Sequence, residues 1–269
     1  MKESSNIHPI CIASPTRRSG TTLLQRLLSS ASNALIYGET CANDFNMLCN
    51  LLSSKEMLLS QNKDWHKSQL QSVLQGEVNK WIPDLMPEID GYLQAYKNMI
   101  LSLADHYGSA AGKAGRPIWG MKMPEWYPVG LLLMQKLMPG TKILYLHRNL
   151  KDCVRSAKKI EMVIGPDEIQ RFCQTWRQFT DYAKVNFTGD QVMHLAYEEL
   201  INDPGKWIPA IEKFTGAIGI DRTVMRTKVN TYDNDQKLES EKDPYLQPAV
   251  LSEEELAIVS SFSGGGKLV

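Results

Sequence analysis

The stretch IHPICIASPTRRSGTTLLQR, residues 7–26, decides how the chain is read. Ile10, Cys11, Ile12 and Ala13 form a short apolar run that stops at Ser14-Pro15. A polar turn follows, Thr16-Arg17-Arg18-Ser19-Gly20-Thr21-Thr22. Leu23, Leu24, Leu27 and Leu28 then recur at the spacing of one helix face. The order is therefore strand, turn, helix. The turn places two arginines, a glycine and several hydroxyls where the helix begins. A helix N-terminus leaves backbone N–H groups without intrahelical partners, and the helix dipole adds partial positive charge there. Such a turn suits a phosphate or sulfate group. The plain alternative is a capped helix, with Ser19 or Thr21 as the cap and both arginines solvated. The whole set, between a buried strand and an amphipathic helix, favours the anion.

The rest of the chain extends this unit. Residues 34–38 (ALIYG) read as a second strand, with Glu39 at its end. Residues 41–115 change character: Leu, Met, Gln, Lys and Asn dominate, which predicts a helical insertion of about three helices. Residues 117–123 and 141–148 read as further strands, the second being the clearest in the chain. Helices are expected over 129–138, 150–164, 166–187, 207–215 and 251–262, with a fifth strand over 191–197 and a loose tail over 263–269. Alternating strands and helices predict one α/β domain spanning 1–269, with a parallel sheet of about five strands covered on both faces. The expected fold is a P-loop-type three-layer sandwich. Ligands of such sheets sit at the carboxyl ends of the strands. Ser14–Thr22, Glu39, Lys122, Arg148 and Tyr197 all fall at that edge.

Composition excludes several classes of function. The 269 residues are 43% hydrophobic, ample for a core. With 30 basic and 30 acidic residues the formal charge is zero, so no global footprint for nucleic acid or a membrane surface is present. No apolar run is long enough to span a bilayer. The N-terminal residues lack the apolar core of a signal peptide. Five cysteines without a CxxC pair suggest reduced thiols rather than a disulfide framework or a zinc site. The expected location is the cytoplasm.

The turn differs from the G-x-x-x-x-G-K-[ST] phosphate loop, because Arg18 stands about where the lysine would be. Residues 141–148 also end without the aspartate that organises magnesium in a nucleoside triphosphatase. A phosphate-like ligand without a metal is therefore expected, although a P-loop kinase or hydrolase and a non-catalytic nucleotide-binding protein remain alternatives.

Two motifs carry a family resemblance. Arg18-Ser19-Gly20-Thr21-Thr22-Leu23 resembles the loop that sulfotransferases use for the 5′-phosphosulfate of 3′-phosphoadenosine-5′-phosphosulfate (PAPS). His147-Arg148-Asn-Leu-Lys-Asp-Cys-Val-Arg-Ser156 resembles their second signature, a strand-end arginine with a serine eight positions on. The resemblance covers most of residues 7–216 and is closest to the tyrosylprotein-sulfotransferase-like and bacterial small-molecule branch. It implies that Arg17, Arg18, Ser19, Gly20, Thr21, Thr22, Arg148, Ser156 and Tyr197 bind PAPS, with Arg148 and Ser156 on the 3′-phosphate. It implies Glu39 as general base, since Gly38-Glu39-Thr40 matches the branch's glutamate motif. Met123-Pro124 after Lys122 removes the lysine-x-histidine motif of the cytosolic branch. Lys122 and Arg18 would then stabilise charge on the transferring sulfonate. Two positions depart from the pattern: Cys41 replaces an arginine common in relatives, and Ile160 a basic residue, for which Lys158 or Lys159 could substitute.

The implied reaction moves sulfonate from PAPS to a hydroxyl or amine of a small-molecule acceptor, leaving adenosine 3′,5′-bisphosphate and needing no metal. The insertion 41–115 is the expected acceptor cap. Trp65, Trp81, Tyr92 and Tyr96 are candidate stacking residues there, and Asp44, Asp84, Glu88 and Asp90 would suit a cationic natural product.

Overall fold

The computed structural model describes residues 8–227, 229 and 248–263. The N-terminal segment 1–7 and most of the expected tail, 264–269, lie outside them; Ser263 closes the last helix.

Five strands form one sheet: β1 (Ile10–Ala13), β2 (Ala34–Tyr37), β3 (Ile118–Lys122), β4 (Lys142–His147) and β5 (Val192–Ala196). Their order is β2-β3-β1-β4-β5, and every pairing is parallel. The chain leaves β1 toward β2 on one side and leaves β4 toward β5 on the other. The carboxyl ends of β1 and β4 therefore flank a topological switch point, where a sheet of this kind opens a crevice.

Side-chain alternation divides the core. Cys11 and Ala13 of β1 face one cluster with Trp119, Met121, Ile143 and Tyr145, while Ile10 and Ile12 face the other with Leu144, Leu146 and Leu195. The first cluster is covered by α2 (Glu39–Ser60), α4 (Ile89–Lys113), α5 (Pro128–Leu137) and the end of α7 (Pro166–Asn186). The second is covered by α1 (Thr21–Ser30), α8 (Tyr197–Asn202) and α9 (Pro204–Thr215). Helix α3 (Lys63–Leu74) completes the stretch between β2 and β3. A third cluster joins α6 (Leu150–Lys159), α7 and the C-terminal α10 (Glu253–Ser263). Gly120 lets the central strands close up, because a Cβ there would lie 2.2 Å from the Ile10 carbonyl oxygen.

Some boundaries differ from those expected. The helix after β4 stops at Lys159 rather than near 164. Glu161 takes a left-handed φ of 57°, and the Ile160 and Met162 N–H groups both return to the Ala157 carbonyl. Tyr197 opens α8 instead of closing β5. Helix α9 begins at Pro204, three residues before the apolar signal, because the Asp203 carboxylate accepts from the Lys206 N–H and Pro204 suits a first helical position.

Candidate active site

The loop after β1 is shaped by its own hydroxyls. Ser14 Oγ and Ser19 Oγ both donate to the Thr16 carbonyl, each at 2.8 Å. These two side chains fold the turn. Arg18 sits at φ 67° and Gly20 at φ 95°, both left-handed. Gly20 is the N-cap of α1, and no side chain caps that helix or places an acid in its first turn. The positive end of α1 therefore opens onto the loop without a side-chain carboxylate to neutralise it. Neither Ser19 nor Thr21 acts as the cap.

One pole of the site lies where this loop meets β4 and α6. Arg148 follows the last residue of β4, and its Nη1 donates to the Arg18 carbonyl at 3.0 Å. Its guanidinium stacks 4.5 Å from the centre of the Tyr197 ring. The Arg148 Nε–H is buried and has no hydrogen-bond acceptor among the described residues. A buried donor without an acceptor costs roughly 1–3 kcal/mol, so this N–H is suited to an incoming anion. Arg148 is held from behind: the Trp176 Nε1–H donates to its carbonyl at 3.3 Å, and the Asn149 N–H donates to Glu198 Oε1 at 2.9 Å. Ser156 lies two turns along α6, where its Oγ accepts from Arg18 Nε at 3.1 Å. The Tyr197 ring presses on the loop so closely that a Cβ on Gly20 would sit 2.4 Å from its Cδ2. Arg18, Gly20, Arg148, Ser156 and Tyr197 are thus assembled from four separate segments.

The second pole lies at the ends of β2 and β3. Lys122 closes β3 with its side chain 7% exposed, and its Nζ meets Glu39 Oε1 at 2.5 Å. Glu39 is the first residue of α2 and keeps 52% of its side chain in solvent. Lys122 Nζ also lies 3.5 Å from Thr22 Oγ1 in the first turn of α1. A buried ammonium thus bridges an accessible carboxylate and the uncapped start of α1.

Arg17 does not join either pole. Its backbone N–H donates to Glu125 Oε1 at 3.3 Å, and its Nε lies 3.5 Å from Glu125 Oε2. Glu125, itself at φ 57°, donates its N–H to the Ser14 carbonyl at 3.0 Å. It therefore ties the loop behind Lys122 to the loop after β1. Cys153 lies beneath the latter, 3.7 Å from Ser19 Oγ, and burial pushes its thiol up to about 11. It packs there as a neutral thiol. All five cysteines are free.

Lys158, one of the two candidate substitute cations, is paired with Glu255 of α10 at 2.5 and 2.6 Å. Several candidate acceptor residues serve the insertion itself. Glu88 caps α4, Asp90 pairs with Lys63, and the Tyr92 and Tyr96 hydroxyls meet at 3.0 Å. Trp81 is 87% exposed, and Asp44 accepts from the Tyr107 hydroxyl at 3.4 Å.

Sequence reasoning missed Glu125, Trp176, Glu198 and Glu255. Only Glu255 had a local signal: Ser252-x-x-Glu255 before an apolar helix is a capping box. The others act across long sequence separations and leave no pattern.

The family model described as "Sulfotransferase family" matches residues 9–219, more than three quarters of the chain. The chain belongs to the sulfotransferase family. No curated protein matches it in sequence. Among solved structures, this sulfotransferase is similar to the sulfotransferase domain of the Synechococcus PCC 7002 olefin synthase, at 18% identity and TM-score 0.50, over 98% of each chain. The sulfotransferase domain from the curacin biosynthetic pathway matches at 14% identity and TM-score 0.49, over 95% of this chain and 98% of that one. A sulfotransferase from Mycobacterium avium matches at 11% identity and TM-score 0.45, over 95% and 68%. The olefin-synthase likeness supports the three-layer α/β fold. No helix among the described residues is long and apolar enough to cross a membrane.

Proposed function

We propose that this sulfotransferase moves the sulfonate group of PAPS to a hydroxyl or amine of a small-molecule acceptor in the cytoplasm. The observation that carries the reading is the two-pole arrangement around the start of α1. Arg148, Ser156 and Arg18 gather on the α6 side, and Lys122 with Glu39 on the β3 side. The donor set fits a doubly anionic ligand: an uncapped helix end, a buried guanidinium N–H without an acceptor, and a buried ammonium.

PAPS supplies the activated sulfonate when bound. Arg148 and Ser156 would hold its 3′-phosphate, which ATP lacks. The first-turn N–H groups of α1, with Thr21 and Thr22, would hold the 5′-phosphosulfate, and Tyr197 would pack beside the nucleotide. Arg18, anchored on Ser156, would place its charge between the two ends. Glu39 would accept the acceptor's proton as the acceptor–sulfur bond forms and the sulfur–oxygen bond to the departing adenosine 3′,5′-bisphosphate breaks. Lys122, fixed between Glu39 and Thr22, would neutralise the negative charge that develops as the sulfonate is transferred. The roles are positioning and charge neutralisation, as in phosphoryl transfer. A cationic natural product remains a candidate acceptor.

Calorimetry tests the donor. Adenosine 3′,5′-bisphosphate should bind far more tightly than ATP with Mg²⁺. Arg148→Ala should weaken the bisphosphate roughly 10- to 100-fold, as expected for a charge-assisted contact. The affinity for adenosine 5′-phosphate should change much less. Equal losses for both ligands would remove Arg148 from the 3′-phosphate. Screening candidate acceptors for the mass gain of one sulfonate would identify the second substrate.

A further inference from the structure

Ser156 occupies the last turn of α6, a helix of only ten residues. A helix that short is marginal by itself, and its final turn is the part that frays. The serine proposed to hold the 3′-phosphate therefore needs support from outside its own helix. The C-terminal segment supplies it on both sides of Ser156. On one side, Arg155 Nε donates to the Ala249 carbonyl at 3.0 Å, and the Ala249 N–H returns to the Arg155 carbonyl at 3.2 Å. On the other, Lys158 Nζ reaches both carboxylate oxygens of Glu255. Glu255 is itself immobilised. Its Oε2 accepts from the Ser252 N–H at 2.7 Å, and its own N–H donates to Ser252 Oγ at 3.3 Å. That reciprocal pair is a capping box at the start of α10. The Glu255 side chain is 4% exposed, and the Lys158 ammonium holds its carboxyl below the ordinary carboxylate range. Leu251 and Val259 join the same buried cluster as Val154 and Ala157.

We infer that Glu255 is a positioning residue for the nucleotide: through Lys158 it locks the last turn of α6 and so holds Ser156 in place for the donor's 3′-phosphate. The inference rests on the donor reading above. It also gives the C-terminal segment a task, since that segment lies beyond the 9–219 span of the family model. The position of Ser156 thus depends on a part of the chain outside the motifs that define the site.

The test compares two ligands in the full-length protein by calorimetry, adenosine 3′,5′-bisphosphate and adenosine 5′-phosphate. Glu255→Ala and Lys158→Ala should each weaken the bisphosphate about 10-fold, the size typical of losing a supporting contact behind a ligand-binding group. The 5′-phosphate affinity should stay within about twofold, because the helix end of α1 is untouched. Glu255→Gln keeps an acceptor for the Ser252 N–H and should show a smaller loss of the same selective kind. This variant carries the test if Glu255→Ala does not fold. The double variant Lys158→Ala/Glu255→Ala should lose no more than either single one. Bisphosphate affinity that stays unchanged or tightens in a folded variant would overturn the inference, as would equal loss for both ligands. A wild-type protein that binds the two ligands equally would overturn the donor reading and this inference with it. Selective wild-type binding with unselective variants would overturn the inference alone.

Discussion

The loop edge and the helical insertion are built on opposite principles. At the loop edge nearly every functional side chain is gripped from a distant segment. Arg148 touches the loop after β1, α7 and α8; Lys122 touches α1 and α2; Glu125 joins the loops after β1 and β3. In the insertion, by contrast, Met47, Met57, Leu58, Leu74, Val78 and Trp81 all stand more than 60% exposed. Its polar residues mostly bond to one another within the insertion. The difference fits the proposed division of the reaction, with the donor at the loop edge and the acceptor toward the insertion. A charged donor needs donors fixed in advance, because reorganising charge during the reaction is costly. The insertion carries no comparable set of fixed charges.

The largest effects should come from the gripped half. Glu39→Gln should lower kcat about 10²- to 10⁴-fold, the usual contribution of a general base, with bisphosphate binding retained. Lys122→Ala should cost about 10²- to 10³-fold in kcat by losing one positioned charge stabiliser. Wild-type turnover in Glu39→Gln would remove it as base and erase much of the contrast between the two halves.

A smaller effect is expected at Gly20, where a methyl group meets both a left-handed φ and the Tyr197 ring. Gly20→Ala should cost about 1–3 kcal/mol of stability, read as a lowered Tm. It should also weaken nucleotide binding by displacing Tyr197.

His147 gives a pH test of the same edge. Burial and nearby His194 and Lys184 push its pKa down to about 4, and its Nδ1 lies 2.9 Å from the Leu195 carbonyl. The folded state therefore disfavours the charged imidazole. Stability is fully present above the ordinary value near 6.5 and falls as the pH drops from there toward 4. Thermal melts across that window should fall more steeply for the wild type than for His147→Asn.

The smallest effect should come from the insertion. Trp81→Ser removes a side chain that is 87% exposed and should change stability by less than about 0.5 kcal/mol. A loss of activity without a loss of stability would show that this exposed apolar surface meets a ligand.

The sequence by itself determined the strand–turn–helix unit, the five-strand α/β pattern and the motif residues at the sheet edge. Those signals are local: apolar period, turn chemistry and short spacings reflect neighbours along the chain. It also placed Glu39 and Lys122 at strand ends, though not in contact. Tertiary structure alone decided that Lys122 bridges Glu39 and Thr22, that Arg18 leans on Ser156, and that Arg17 turns to Glu125. It also decided that Lys158 is taken by Glu255. These pairs join residues 83 to 138 positions apart along the chain. Partners at that separation are chosen by the order of strands in the sheet, and no periodicity along the chain encodes them.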